Sequence, residues 1–525
     1  MDLTAELANS NLSPAVRAAI LAQLEWNQAH ADLAVKTAAQ AALIKAKSLL
    51  IEKLEFELAY LRRMQFGAKT EAMSAEQRSL FDEEFNVSAA AIEAQLAAAA
   101  HAEENPSPRQ SRIRAGRQPL PAHLPRTDVV HEPESCTCGE CGNDLIKVSE
   151  DISEQLHVQP AAFSVIRHIR PQYACRCCQT MSAAPVAASI IDGGLPTNAT
   201  LAWVMVSKYV DHLPLYRIRQ IAERSGVNLA ESTLGNWVGT TGWWLQILVV
   251  RLIERLLQAQ TLHADETPLR QLDPGKGKTK TAYLWAYRST PLSGTAPIIV
   301  FDYQTGRAGQ HARDFLQDWQ GQLMVDDYGG YKALFKAGVT ELACWAHARR
   351  KFVDLHKANQ SPVAFEAMRR IGELYAIEAQ GKDLNPEQRL RLRQQAAKPK
   401  LIEFKIWLDE MANQVAPNSA IAKALLYSLR RWVSLTRYVE SGIAPIDNNT
   451  VENCIRPIAI GKKNWLFTGS ERAGQRAAAI QTLLGTAKLN GLDPQAWLSD
   501  TLEKLPTWPN SLIDELLPLR VLTEK

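Results

Sequence analysis

A multidomain α+β fold is the expectation set by three features of this 525-residue sequence. A stretch without Gly or Pro near the N-terminus reads as a long helix. Six of the eight cysteines fall between Cys136 and Cys178, and from Thr261 strand patterns separated by turns give way to helical ones. The length exceeds what one hydrophobic core sustains, so several domains are expected. Hydrophobic residues at 46% and charged residues at 22% are ordinary for a globular chain. No apolar run approaches the roughly 18 residues of a membrane span. The opening MDLTAELANSNLSP carries acids where a secretory leader has basic residues and an apolar core, so a cytoplasmic location without membrane attachment is expected. A net charge of +3 says little about partners, because acids elsewhere can offset a basic surface.

Residues 1–86 are read as a helical, coiled-coil region. Between Ala31 and Met64, Ile44, Lys47, Ile51, Leu54, Leu58 and Leu61 recur at alternating steps of three and four, the seam of a zipper. The same pattern suits an amphipathic helix packed on its own chain. Residues 87–128 form a linker, first Ala-rich and then NPSPRQSRIRAGRQPLPAHLPR. Its prolines forbid regular structure, while Arg109, Arg112, Arg114, Arg117 and Arg126 are placed to follow a phosphate backbone or simply to be solvated.

Residues 129–185 read as a zinc-binding β module. Zinc takes four tetrahedral thiolate or imidazole ligands, and a Cys-x-x-Cys turn supplies two from one loop. Cys138 with Cys141 and Cys175 with Cys178 keep that spacer in both halves, whereas Cys136 and Cys177 do not. Cys344 and Cys454 stand alone and are expected as buried small hydrophobes. In residues 186–255 the patterns YVDHLPLYRIRQIAERSG and ESTLGNWVG, joined through Ser225, Gly226 and Val227, suggest a helix-turn-helix. Ser232 is expected to cap the second helix, with Asn236 facing outward.

From residue 256 to about 480 the chain reads as an α/β domain. TLHADETPL, AYLWAYRST and APIIVFDY are strands, HARDFLQDWQ is a helix, and QLMVDDYGGYKAL opens with a fourth strand. That order is the opening of a ribonuclease-H-like fold, in which acids project from neighbouring strand ends. Asp265 is expected to end the first strand and Asp326 the fourth. Downstream, Asn449, Glu452 and Arg456 are set at helical spacing. Asp265, Asp326 and Glu452 are hard oxygen ligands of the kind that hold a pair of Mg2+ (or Mn2+) ions for phosphodiester chemistry. Arg349, Arg350 and Lys351, and later Arg456, Lys462 and Lys463, place cations beside these acids, suited to a nucleic-acid backbone or to solvated faces. Asp326 is preferred to Asp327 because adjacent strand residues point to opposite faces; Asp327 and Glu266 are left as outer partners. Pro457 is expected to end or kink the helix bearing Glu452. The Gly-poor stretch from about 350 to 441 reads as a helical insertion, and residues 481–525 as a C-terminal helical region.

RRMQFGAKTE, the cysteine motif, LPLYR, ADET, VDDYGGY, CWAHARRKF, DNNTVENCIRPIAIGKKNWLFTGS and GLDPQAWLSDTLEKLP together resemble the DDE transposases of the insertion sequence 66 family. The resemblance spans nearly the whole chain. It implies a catalytic triad on Asp265, Asp326 and Glu452, with structural Zn2+ before it. It also implies DNA as partner, both terminal inverted repeats and target, in a homodimer or higher oligomer beside accessory proteins of the same element. The implied reaction is metal-dependent cleavage at the element's ends and transfer of the freed 3' hydroxyl to target DNA. Competing readings are a nuclease that cuts without joining, a transposase-derived DNA-binding regulator that no longer cuts, and an RNA-processing zinc protein.

Overall fold

The computed structural model describes residues 163–169, 172–174, 181–183, 188–273 and 275–520. The expected coiled coil, the basic linker and all four cysteines of the paired motif lie outside these residues. Two short antiparallel strands, β1 (Gln172–Ala174) and β2 (Met181–Ala183), flank in sequence the segment that contains Cys175 and Cys178.

Four helices precede the main sheet: α1 (Asn198–Tyr209), α2 (Leu215–Arg224), α3 (Glu231–Trp244) and α4 (Gln246–Leu256). The first pattern of the expected helix-turn-helix is divided. A turn with His212 at φ 57° separates α1 from α2, and α2 starts only after Pro214, whose fixed φ suits a helix entry. Asn236 is exposed, as expected. Ser232 is not the cap of α3: the helix begins at Glu231, with Ala230, two residues before Ser232, at the cap position and no side-chain cap.

The sheet comprises β3 (Thr261–Asp273), β4 (Lys278–Ser289), β5 (Ile299–Gln304), β6 (Gln322–Val325) and β7 (Thr340–Ala343), in the order β5-β4-β3-β6-β7. β3, β4 and β5 are antiparallel in sequence, while β6 joins β3 and β7 joins β6 in parallel. Helix α5 (Gly309–Leu316) connects the third and fourth strands, as the sequence pattern requires. A short α6 (Lys332–Lys336) leads from β6 toward β7.

One expectation is corrected here. Asp265 does not end its strand; β3 continues to Asp273 because β4 pairs with it from Leu262↔Ser289 to Asp273↔Lys278. Pairing with β6 stops at His263↔Met324, so beyond Asp265 one edge of β3 lies past that neighbour. Pro268 is tolerated there because no ladder N–H is required on that side.

From Trp345 to Glu440 the chain is helical apart from short connections: α7 (Trp345–Asn359), α8 (Pro362–Gln380), α9 (Pro386–Leu392), a π-helical turn at Arg393–Ala397, α10 (Lys398–Gln414), α11 (Ala420–Arg430), α12 (Trp432–Thr436) and a 3-10 turn at Arg437–Glu440. Trp345, Leu374, Phe404, Leu425 and Tyr438 are buried in one apolar core here. Arg393 is fully buried in that block, paired with Glu378 and donating to the carbonyls of Tyr438 (3.0 Å) and Ala444 (2.8 Å). A buried cation with that many acceptors keeps its charge satisfied.

The chain then returns to the sheet through α13 (Asn449–Trp465), α14 (Glu471–Leu489) and α15 (Pro494–Lys504). Thr482 and Thr486 of α14 accept the N–H groups of Phe301 (2.8 Å) and Ile299 (3.3 Å), covering the edge of β5. No described helix is long and apolar enough to cross a membrane.

Candidate active site

Helix α13 lies along β3 and is tied to it at both ends. At its start Asn448 donates from Nδ2 to Ala264 O (3.0 Å), meets His263 Nδ1 through Oδ1 (3.1 Å), and donates its backbone N–H to Cys344 Sγ (3.3 Å). Past its end, Thr468 N donates to Arg270 O (2.8 Å) and Leu272 N to Thr468 O (2.8 Å), filling the edge that β6 leaves. Between these points Val451, Ile455, Ile458 and Ala459 pack with Leu269, Ala282, Leu284 and Ala286 of the sheet. Pro457 does not end the helix. Its ring faces outward on the exposed side, and the two end ties with the packed inner face hold α13 through a residue that costs an isolated helix about 3 kcal/mol.

The two-residue period of β3 places Asp265 on the same face as His263 and Leu269, toward α13. Extending the β3–β6 register by two residues sets Asp265 beside Asp326, and the β6–β7 register then sets Asp326 beside Cys344. Asp265 Oδ1 accepts from Glu266 N (2.8 Å), and Asp326 Oδ1 accepts from Tyr328 N (2.8 Å), so a backbone N–H orients each carboxylate. Both are partly buried. Asp327 turns the other way, 53% exposed with Arg431 Nε at 3.7 Å.

Glu452 enters from the first turn of α13 and is 3% exposed. Its carboxylate lies with the thiol of Cys344 and the imidazole of His347, the ligand atoms all within 4.8 Å of one another. No other trio of metal-ligating side chains is that close among the described residues, so the three carboxylates Asp265, Asp326 and Glu452 do not themselves form such a group. The sequence reading missed this grouping. Cys344 is expected in the core, where it is indeed fully buried, and nothing in the local pattern singles out His347. The signal that finds them is a Cys-x-x-His spacing placed where a strand runs directly into a helix.

The basic candidates have unlike settings. Arg349 is buried, 1% exposed, Arg350 and Arg456 are half-buried, and Lys351 is exposed with its ammonium 4.4 Å from the Tyr427 ring centroid. Lys462 donates to Pro268 O (3.0 Å), and Lys463 is exposed. Burial pulls the His263 imidazole down to about 3, opposed by its bond to Asn448, so this ring is neutral. Burial pushes the Glu266 carboxyl up, and nearby Asp326 adds to the rise, while Arg307 and Tyr331 oppose it.

Two partly buried aspartates, Asp265 within β3 and Asp326 just past the end of adjacent β6, each aimed by a backbone N–H, suit a hard divalent ion. Cys344 and His347 give the Glu452 side a softer character.

Comparison with known proteins bears on the whole chain. A family model described as "Transposase IS66 family" matches residues 193–476, more than half of the chain. A zinc-finger binding domain of transposase IS66 matches 135–179, a model described as "Transposase C of IS166 homeodomain" matches 53–129, and an IS66 C-terminal element matches 482–519. Among curated relatives, two proteins of Sinorhizobium fredii are similar over almost their full lengths. Uncharacterized protein y4jD is 36% identical, covering 90% of this chain and 96% of the relative. Uncharacterized protein y4qI is 37% identical, covering 96% of each. The chain belongs to the IS66 family of transposases.

Proposed function

We propose that this transposase cuts DNA at the ends of its element and joins the freed 3' hydroxyl to target DNA, with Asp265, Asp326 and Glu452 as its catalytic carboxylates. The observation that supports the reading is the parallel β3–β6 register, paired as far as His263↔Met324, which extended by two residues would bring Asp265 opposite Asp326, with Glu452 arriving on the helix tied to β3. The strand order supports a ribonuclease-H-like domain: numbered from β3, it is 3-2-1-4-5 with the last two strands parallel to the first. Its proposed limits are 256–480, with a helical insertion at about 350–441. The regions before it are 1–86, 87–128, 129–185 and 186–255, and 481–525 follows.

Asp265, Asp326 and Glu452 would hold Mg2+ or Mn2+, which when bound neutralises phosphate charge and activates the attacking oxygen. The chain's own contribution is placement. Backbone N–H groups aim the two aspartates, Asn448 fixes the helix that presents Glu452, and Arg456, Lys462, Lys463, Arg349, Arg350 and Lys351 would supply cations for the phosphate backbone. Cys138, Cys141, Cys175 and Cys178 would hold structural Zn2+. The proposed partners are terminal repeats, target DNA, further copies of the chain and accessory proteins of the element, and the proposed setting is the bacterial cytoplasm.

The test is cleavage and joining of labelled DNA carrying the element's ends, in Mg2+, by wild type and by Asp265→Ala and Glu452→Ala. Each variant is expected to bind the ends and to lose both steps by about three orders of magnitude or more, the loss of several kcal/mol of charge stabilisation. Variants that cut as well as wild type would place the chemistry elsewhere. Wild-type binding of ends with no cutting would favour a regulator.

A further inference from the structure

Glu266 follows Asp265 and projects from the opposite face of β3, where it meets the turn after β6. Its side chain is 1% exposed and both oxygens are engaged. Arg307 donates to Oε1 from Nε (2.8 Å) and Nη2 (2.6 Å), and the Tyr331 hydroxyl donates to Oε2 (2.9 Å). The Arg307 guanidinium lies 4.0 Å from the centroid of the Tyr328 ring, and the Tyr328 hydroxyl donates back to Arg307 O. Tyr328 N is the donor that orients Asp326 Oδ1. A continuous chain of contacts therefore runs from Glu266 through Arg307 and Tyr328 to the Asp326 carboxylate. The turn is closely packed at Gly330. A Cβ on Gly330 would sit 2.2 Å from Tyr328 Cε1, and one on Gly309 would sit 2.2 Å from Gly330 O.

We propose that Glu266 is a positioning residue for Asp326: with Arg307 it clamps the Tyr328–Tyr331 turn so that the Asp326 carboxylate faces the ion it shares with Asp265. This rests on the catalytic reading above. A carboxylate already taking two bonds from a guanidinium and one from a phenol has little capacity left for an ion, so Glu266 acts through orientation. Partners that orient a metal ligand change affinity or activity by about 10–100-fold when removed.

The experiment is calorimetric titration of Mn2+ into the full-length, zinc-loaded protein, paired with DNA cleavage at limiting and saturating Mn2+. Glu266→Gln and Arg307→Lys are compared with Asp326→Asn as reference. Glu266→Gln is expected to weaken Mn2+ binding by about 10–100-fold, with cleavage recovering toward wild type as Mn2+ is raised. Arg307→Lys, which keeps the charge and loses the fork, is expected to fall between that variant and wild type. Arg307 is 45% exposed, so its variant tests the proposal even where Glu266→Gln fails to fold. Wild-type Mn2+ affinity in Arg307→Lys and Glu266→Gln, with affinity lost in Asp326→Asn, overturns the positioning role alone. Unchanged affinity in Asp326→Asn overturns the catalytic reading itself.

Discussion

On one face of β3, His263, Asp265 and Leu269 turn toward α13; on the other, Glu266 turns toward Trp285, Tyr328 and Tyr331. The α13 face is fixed by hydrogen bonds at the two helix ends, from Asn448 to Ala264 and His263 just before Asp265 and between Thr468 and Arg270 and Leu272 beyond it, with apolar side chains between them. The Glu266 face is closed at the spot itself. Trp285 stands opposite Glu266 in the ladder, Tyr331 meets its ring edge-on at 5.8 Å, and Arg307 neutralises the carboxylate. On the proposed reading, two neighbouring acids thus differ in kind: one side would receive a charged ligand, and the other holds shape.

The sharpest break of this contrast is Trp285→Ala. Trp285 is fully buried, and removing a large aromatic side chain from such a site costs about 3–5 kcal/mol. Urea unfolding of the full-length protein should show the transition of this domain at a clearly lower midpoint. A loss under about 1 kcal/mol would mean that the Glu266 face tolerates a cavity, and the contrast between faces would fail.

A second prediction separates the faces by pH. His263, on the Asp265 side, has a folded-state value near 3 against an ordinary one near 6.5, so the unfolded chain binds its proton first as pH falls. Stability from this group is complete above pH 6.5 and declines toward about pH 3, by about 1.4 kcal/mol per pH unit within that window. The urea midpoint of wild type should therefore fall between pH 7.5 and pH 5.5 more steeply than that of His263→Gln. Parallel slopes would show that the ring is solvated when the protein is folded.

How much of this was legible in the sequence follows from the range of the interactions. Strand alternation and Gly-poor helical stretches are local, and they marked the presence and order of β3 to β6 and α5 and the helical character of the stretch between Trp345 and Glu440. ADET and VDDYGGY are likewise local motifs, and the register that ends at His263↔Met324 runs toward the acids they carry. Two features depended on distant partners and were missed: Asp265 is mid-strand because β4 is long enough to pair past it, and Cys344 joins His347 and Glu452 because β7 ends beside the start of α13. Pro457, expected to end or kink its helix, does not end it, because α13 is tied at both ends. No single stretch of sequence encodes any of these. The Tyr-Gly-Gly-Tyr turn was visible as a motif, but its reason lies in the contact of Tyr328 with Arg307, 21 residues upstream.

The smallest effect concerns charge on the two faces. Lys463 is exposed near the end of α13, and the Arg307 guanidinium on the opposite side is bound to the buried Glu266 carboxylate. A lysine that meets a phosphate releases about one counterion, so its loss lowers the slope of log affinity against log salt by about one, uniformly across DNA sequences. Lys463→Ala is expected to show that change in titrations of the element's ends at several salt concentrations. Arg307→Ala is expected to leave the slope at its wild-type value, because that cation is already neutralised within the protein. If the two variants change the slope equally, DNA reaches both faces of β3 and the division between a receiving face and a holding face is wrong. If only Arg307→Ala changes it, the DNA lies along the turn after β6 and the polarity of the site must be reversed.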